Sequence, residues 1–483
     1  MKYVIKTFFA LGTFAATIKI MSKPGLPPGT RDFSAETVRK RNYILNTIRQ
    51  VFELYGFQPL ETPAIENLET LMGKYGEEGD KLIFRILNNG IADPKNVEKT
   101  RKAFEQVMEG KNDRDLTERA LRYDLTIPFA RYVAMNHGQL TFPFKRYQIQ
   151  PVWRADRPQK GRYREFWQCD ADVVGSKSLL NEAEFVQIYD LVFKRLGLDG
   201  YELRINSRNI LVAIALACGG REQLTVITTA IDKLDKIGME KVQEELISRS
   251  LSPAHVELIS QYLQIRGNTA TSLGSLKALL ANAPAESRDF AEQGLSQLQS
   301  VLDLVKPEIH GFPMVIDFTL ARGLSYYTGI IFEARAPASV QIGSIGGGGR
   351  YDDLTGLFGV SDVPGVGISF GVDRIYDVME ELRAFPASLQ ISTQVLFLNL
   401  GEAASAAAFN LLGQLRATAV RAELYPEHQK IDRQFKYAEK KNIPFVITVG
   451  DEELKNRSAR IKDIRSGTSV TLSWEELILH DFT

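Results

Sequence analysis

The segment 154-RADRPQKGRYREFWQCDAD-172 sets Arg154, Arg157, Lys160, Arg162 and Arg164 among the large aromatics Tyr163, Phe166 and Trp167, and closes on Asp170 and Asp172. It reads as the end of one strand, a polar loop (PQKGRY) turning at Gly161, and a second strand. Side-chain alternation along that second strand places Phe166, Gln168, Asp170 and Asp172 on one face. A charge run of this kind, taken alone, is commonly a solvated hairpin, because exposed ion pairs stabilise little. The segment therefore decides the fold only together with what lies elsewhere in the chain.

Three other stretches bear on it. IDFTLARGLSYYTG carries Arg322 in an apolar, strand-rich run beside Tyr326 and Tyr327. GISFGVDRIYDVME carries Arg374 where a strand passes into a helix, after Gly367 and Gly371. LRYDLT offers Asp124 and Thr126 in alternation on a further strand. Buried arginines need partners, since an unpaired interior charge is expensive. Several converging on one sheet suit an anionic ligand with several phosphates, gripped by bidentate guanidinium groups. No GxxxxGK[ST] phosphate loop is present. The run 346-GGGG-349 lacks the strand–helix context of a dinucleotide fingerprint, and reads as a bulge, a tight turn or a close backbone approach to a flat ligand.

The rest of the chain bounds these readings. Its 483 residues predict about three domains. Lys and Arg (59) balance Asp and Glu (59), so any nucleic acid must be met by local basic patches and not by a globally basic field. The two cysteines, Cys169 and Cys218, exclude a disulfide framework and fit a reduced, cytoplasmic protein. Five scattered histidines show no zinc-ligand spacing. MKYVIKTFFALGTFAATIKI loosely resembles a signal peptide. Lysines bracket an apolar run too short to cross a membrane, however, and MSKPGLPPGTRDF from Met21 reads as a beginning. Residues 1–21 are expected to be an upstream start or an extension.

Organisation follows from periodicity. Ser34 caps a helix with Ile44, Ile48, Val51, Phe52 and Tyr55 on one side and Gly56 as its stop. LIFRIL, ALRYDLTIPFARYVA, FPFKRYQIQPVWRA and EFWQCDADVV read as strands of a mostly antiparallel sheet with flanking helices. Residues 219–306 switch to helical periodicity and form an insertion. Strands resume over 307–384, a linker covers 385–393, and 394–483 alternates as βαβαβ in a small α/β domain. The helix 430-KIDRQFKYAEKK-441 gathers Lys430, Arg433, Lys436, Lys440 and Lys441 on one side, with Ile431, Phe435 and Ala438 on the other.

These residues carry a family resemblance. PVWRADRPQKGRYREFWQCDADVVG resembles motif 2 of histidyl-tRNA synthetase, and LARGLSYYTG resembles that family's histidine-specific arginine motif. PGVGISFGVDRI is similar to motif 3 of class II synthetases, and the helix plus ETP near Pro63 to motif 1. The resemblance runs from about Gly25 to the C-terminus. It implies an α+β fold: a class II antiparallel sheet in 22–218 and 307–384, the helical insertion, and a C-terminal anticodon-binding domain. The implied activity is histidine activation by ATP and transfer to tRNA(His), with Mg²⁺ as counter-ion and a homodimer as the assembly.

Residue by residue, the resemblance places Arg154 and Arg322 at the α-phosphate, and Arg154, Arg162, Tyr163 and Arg374 on ATP. It places Asp124, Thr126 and Gln168 at the amino group, and Asp172, Arg322, Tyr326 and Tyr327 around histidine. Arg157 and Gln159 face the tRNA acceptor end, and no protein side chain is assigned to a metal. Ser325 departs from the aspartate usual in that motif. The competing reading is a catalytically silent paralogue, such as a regulatory subunit of ATP phosphoribosyltransferase. Such paralogues generally lack the last domain and part of the arginine set.

Overall fold

The structure, a computed structural model, describes residues 24–266, 269–321 and 326–482. The expectations for residues 1–21, Arg322 and Ser325 fall outside the described residues. Eleven strands precede residue 385: β1 (Gln58–Pro59), β2 (Ile65–Asn67), β3 (Arg85–Ile86), β4 (Arg119–Leu121), β5 (Phe144–Trp153), β6 (Glu165–Val174), β7 (Glu202–Ser207), β8 (Met314–Ile316), β9 (Ile330–Arg335), β10 (Ser344–Tyr351) and β11 (Gly365–Gly371). Eight form one sheet in the order β1-β5-β6-β11-β10-β9-β7-β8. From β5 through β7 every neighbouring pair is antiparallel, and only the edge strands β1 and β8 pair in parallel. β2, β4 and β3 make a separate small sheet.

One face of the large sheet is covered by helices. Ala35–Leu54 starts at Ser34, whose hydroxyl accepts from the Thr37 amide, and buries Ile44, Ile48, Val51 and Phe52 completely. Each such side chain contributes about 1.5–3 kcal/mol by leaving water. Gly56 ends the helix at φ +80°, a backbone setting open to glycine. The odd residues of β6 (Cys169, Ala171, Val173) and the even residues of β11 (Val366, Ile368, Phe370) point into this core. The opposite face, bearing Gln168, Asp170 and Asp172, is left for the site.

Among the described residues, five helices run between Gln223 and Val305. The last, Ala285–Val305, packs closely on Arg208–Ala217: a Cβ on Gly294 would sit 2.7 Å from Ile210 Cγ1. Ser287 Oγ donates to the Ala213 carbonyl at 2.8 Å. This helical block thus shares its hydrophobic core with the large sheet.

The C-terminal segment builds β12 (Val395–Phe397), β13 (Ala422–Leu424), β14 (Phe445–Thr448), β15 (Ser458–Asp463) and β16 (Ser469–Ser473) into one sheet, ordered β13-β12-β14-β15-β16. The first three are parallel, as βαβαβ requires. The antiparallel β15–β16 hairpin adds to the expected pattern. Both faces have their own buried clusters, around Leu411 and Phe397 and around Leu398 and Ala438.

The structure corrects several expectations. ALRYDLTIPFARYVA is not one strand: β4 ends at Leu121 and Thr126–Asn136 is helical. The Asp124 carboxylate accepts from the Ile127 amide at 3.2 Å and so starts the helix, while Pro128 sits in the first turn, where no amide donor is needed. Asp124 and Thr126 therefore meet the site from a helix start and not from alternation on a strand. Only Arg85–Ile86 of LIFRIL is paired. The glycines 346–349 form no tight turn; they lie inside β10, hydrogen-bonded on both sides, with a bulge-like register shift between Ser344 and Gly346 at their start. On the helix Ile431–Lys440, Ile431 is exposed and the second buried position beside Ala438 is Gln434, whose amide bonds the Asn399 backbone at 2.8 and 2.9 Å.

Candidate active site

The site lies on the open face of β6, β11 and β10. Register sets its layout: Asp172 lies between Arg146 on β5 and Gly367 on β11, and Asp170 lies between Gln148 and Ser369. Gly367 pairs onward with Gly349, and Ser369 with Gly347. Glycines therefore leave the sheet bare next to the two aspartates. A Cβ on Gly367 would stand 2.0 Å from Asp172 Oδ1, and one on Gly348 would stand 2.2 Å from the Gly367 carbonyl. A Cβ on Gly349 would meet the Tyr327 ring at 3.0 Å. The glycine run thus serves the floor of a cleft, with close approach of backbone and side chains from both neighbours.

Charged groups converge on that floor. Asp172 is buried and pairs with the fully buried Arg146 at 2.8 Å; the Tyr351 hydroxyl donates to its other oxygen. Burial pushes the Asp172 carboxyl up, with Arg146 and Tyr351 opposing. Asp170 is pushed further, to about 7, chiefly by burial; Arg146 and Ser369 oppose this and Asp172 adds to it. Asp124 is likewise raised by burial; Tyr75 donates to its Oδ1 at 2.9 Å while its Oδ2 is buried with no partner. Gln168 donates from Nε2 to Ser369 Oγ at 2.9 Å, and its Oε1 is also buried with no partner. Burial and the nearby Asp172, Asp170 and Asp124 hold the Tyr327 hydroxyl well above its usual range. Tyr326 meets Tyr327 edge-on with ring centres 5.1 Å apart.

Of the arginines expected on phosphate, Arg154 and Arg374 stand at the rim. Arg154 follows β5, donates from Nε to the Tyr123 carbonyl at 3.1 Å, and lies over the Tyr123 and Phe166 rings at 4.2 and 5.2 Å. Arg374, in the first turn after β11, donates to the carbonyls of Gly161 (2.8 Å) and Ser344 (2.7 Å). It thereby touches the tip of the 154–164 loop, where Gln159 and Arg162 close a bridge and Gly161 takes φ +72°. Arg162 faces Asp156 at 3.5 Å, and Arg157 and Gln159 are exposed. Tyr163 is pinned at the base of the loop: its hydroxyl donates to Asp377 at 2.9 Å, and the Arg31 guanidinium covers its ring at 3.2 Å.

The sequence reading missed a support layer. Arg31 and Arg41 both pair with buried Asp373, whose other oxygen accepts from the Trp167 amide at 3.0 Å. Arg146 and Tyr351 behind Asp172 were likewise not anticipated. FKRYQIQ, with Arg146 at an inward position of a strand, was the available signal. Trp167 packs against the core on the helix-covered face.

Comparison with known proteins gives the family. The family model described as histidyl-tRNA synthetase matches residues 97–375, and an anticodon-binding domain model matches 394–479. The chain belongs to the histidyl-tRNA synthetase family. A histidine–tRNA ligase of Christiangramia forsetii is 49% identical over 460 residues, covering 94% of this chain and 98% of its own. One from Bacteroides fragilis is 49% identical over 466 residues, covering 95% and 98%. The crystal structure of histidyl-tRNA synthetase from Nostoc sp. PCC 7120 superposes with a TM-score of 0.77 at 30% identity, covering 94% of this chain and 99% of that one. The chain thus has the fold of the histidyl-tRNA synthetase structure it superposes on, and its C-terminal part is an anticodon-binding domain. Both halves that the silent-paralogue reading would lack in part are spanned by these matches.

Proposed function

We propose that this chain is a histidine–tRNA ligase, joining L-histidine to ATP as histidyl-adenylate and passing the histidyl group to the 3′ end of tRNA(His). The observation that carries the reading is the glycine-floored cleft. It has three buried carboxylates and a free amide oxygen inside and cationic side chains at its rim.

A zwitterionic amino acid with a two-nitrogen ring fits that interior. Asp124 Oδ2 and Gln168 Oε1 are buried acceptors suited to an ammonium group, with Thr126 adjoining. Asp172 and Tyr327 read the two imidazole nitrogens, and Tyr326 closes the wall. A ligand lacking either nitrogen would leave a buried polar group unpaired, which is the strong form of discrimination. At the rim, Arg154 takes the α-phosphate and the attacking carboxylate, where charge grows in the in-line displacement. Arg374, Arg162 and Tyr163 hold the outer phosphates and the base. The role of Arg322 rests on its motif, and Arg157 and Gln159 are assigned to the acceptor end of tRNA.

Among the described residues no group of three His, Cys, Asp or Glu side chains could hold a metal ion. Mg²⁺ would thus arrive with the nucleotide, and no step here depends on a protein-bound ion. No helix among the described residues is long and apolar enough to cross a membrane. The two cysteines are free and buried, consistent with work in a reducing cytoplasm, and the family's pairing through motif 1 makes a homodimer the expected assembly. Pyrophosphate exchange into ATP, run with each amino acid in turn, tests the reading: histidine alone should drive it, and exchange driven by another amino acid would refute it.

A further inference from the structure

Asp170 has no assigned contact with substrate, yet it is a buried carboxylate one register position from Asp172. Its cross-strand partner is Ser369, on the same face of the sheet, and Asp170 Oδ1 is buried with no partner. The Ser369 oxygen in turn accepts from Gln168 Nε2 at 2.9 Å. A hydroxyl has one proton to give. If Ser369 gives it to a carboxylate, which in its ionised form only accepts, its oxygen is left to Gln168 solely as an acceptor. The Gln168 amide then has one permitted orientation: nitrogen toward Ser369, oxygen toward the cleft. The structure matches this, because Gln168 Oε1 is buried with no partner.

We infer that Asp170 and Ser369 are positioning residues: Asp170 polarises the Ser369 hydroxyl, and Ser369 locks the Gln168 amide so that its oxygen faces the substrate ammonium. Reversing the amide would aim an N–H at a cation and convert an attraction into a repulsion. The chain Asp170–Ser369–Gln168 therefore acts on recognition of the amino group and not on phosphate chemistry. This rests on the assignment of Gln168 to that group, and the experiment separates the two claims.

Four quantities are measured by pyrophosphate exchange: the KM for histidine, the KM for ATP, and the inhibition constants of L-histidinol, which keeps the ammonium, and of imidazolepropionate, which lacks it. Ser369→Ala should raise the histidine KM and the histidinol constant by about tenfold, the scale of one hydrogen bond to a charged group. The ATP KM and the imidazolepropionate constant should stay unchanged. Ser369→Thr, which keeps the hydroxyl, should restore binding. Asp170→Asn, which lets the hydroxyl point either way, should fall between. In a Gln168→Ala background, Ser369→Ala should add nothing. If Gln168→Ala weakens histidinol but Ser369→Ala moves both inhibitors alike, or neither, the positioning role is overturned while the Gln168 assignment survives. If Gln168→Ala leaves histidinol unaffected, that assignment fails and the positioning role fails with it.

Discussion

At the scale of the residue, the cleft trades stability for recognition. Asp170 has its carboxyl raised from 3.8 to about 7, with burial the leading cause. The sign follows from linkage: a folded-state value above the unfolded one gives stability that is complete below the unfolded value and is lost as pH rises through the folded value. Between about pH 4 and 7, then, folding becomes progressively less favourable on account of this one group. Asp170→Asn removes the ionisation. Its melting temperature should exceed that of the parent chain by a small margin at pH 5 and by the full margin at pH 8, because other groups cancel in the difference. A margin that does not widen with pH would show that Asp170 ionises freely in the fold. Much of this scale was legible beforehand. Alternation put Gln168, Asp170 and Asp172 on one face, and Arg154 and Arg374 reach the same cleft. The partners were not legible, because Ser369, Tyr351 and Arg146 come from three other strands whose register no local pattern records.

At the scale of the element, the glycines of β10 and β11 divide into two kinds. Gly367→Ala drives a methyl group into the Asp172 carboxylate, a side chain that must break from Arg146 and Tyr351 to move. Gly348→Ala drives it into the Gly367 carbonyl and the Ile368 Cα, backbone atoms fixed by the ladder. The first should keep its fold and raise the KM for histidine by about tenfold or more, because the recognition carboxylate is displaced. The second should lower the melting temperature by several degrees, as overpacking that costs about 1–3 kcal/mol does. Thermal unfolding and exchange kinetics on the pair check this, and equal loss of stability in both would contradict it. Sequence reading failed at this scale where composition outvoted capping. TIPFARYVA is β-branched and aromatic, yet Asp124 at its entrance and the chance to bury Ile127, Phe129, Ala130 and Val133 on one side make it a helix. The four glycines read as a bulge or tight turn because glycine is a poor strand former, yet here the absence of side chains is what the packing needs.

At the scale of the molecule, the helical block and the C-terminal sheet differ in attachment although both were visible as changes of periodicity. The C-terminal sheet encloses its own clusters around Phe397 and Val446. The helical block does not, since Leu298, Val301 and Val305 join the same core as Ile205 and Ile210. Ending the chain at residue 385 should therefore leave histidine-dependent pyrophosphate exchange within about an order of magnitude of the parent while abolishing tRNA(His) charging, because the domain expected to read the anticodon is gone. Excising 219–306 should yield insoluble protein, because the face around Ile210 loses its cover. Circular dichroism with the two activity measurements distinguishes these outcomes. Exchange that fails in a folded truncation would mean the last domain shapes the cleft itself.

The two carbonyls held by Arg374 have a kinetic meaning. A phosphate gripped through the Nε and Nη1 protons that now bond Gly161 and Ser344 must displace those carbonyls, and Gly161 belongs to the tip of the 154–164 loop. Nucleotide capture is then a first-order rearrangement following a collision. In stopped-flow measurements the observed rate should curve to a plateau with ATP concentration instead of rising without limit. Arg374→Lys keeps the charge but lacks the fork that spans both carbonyls. It should lift that plateau while loosening the final complex, so the same contact that aims the arginine also sets the speed at which ATP is taken up.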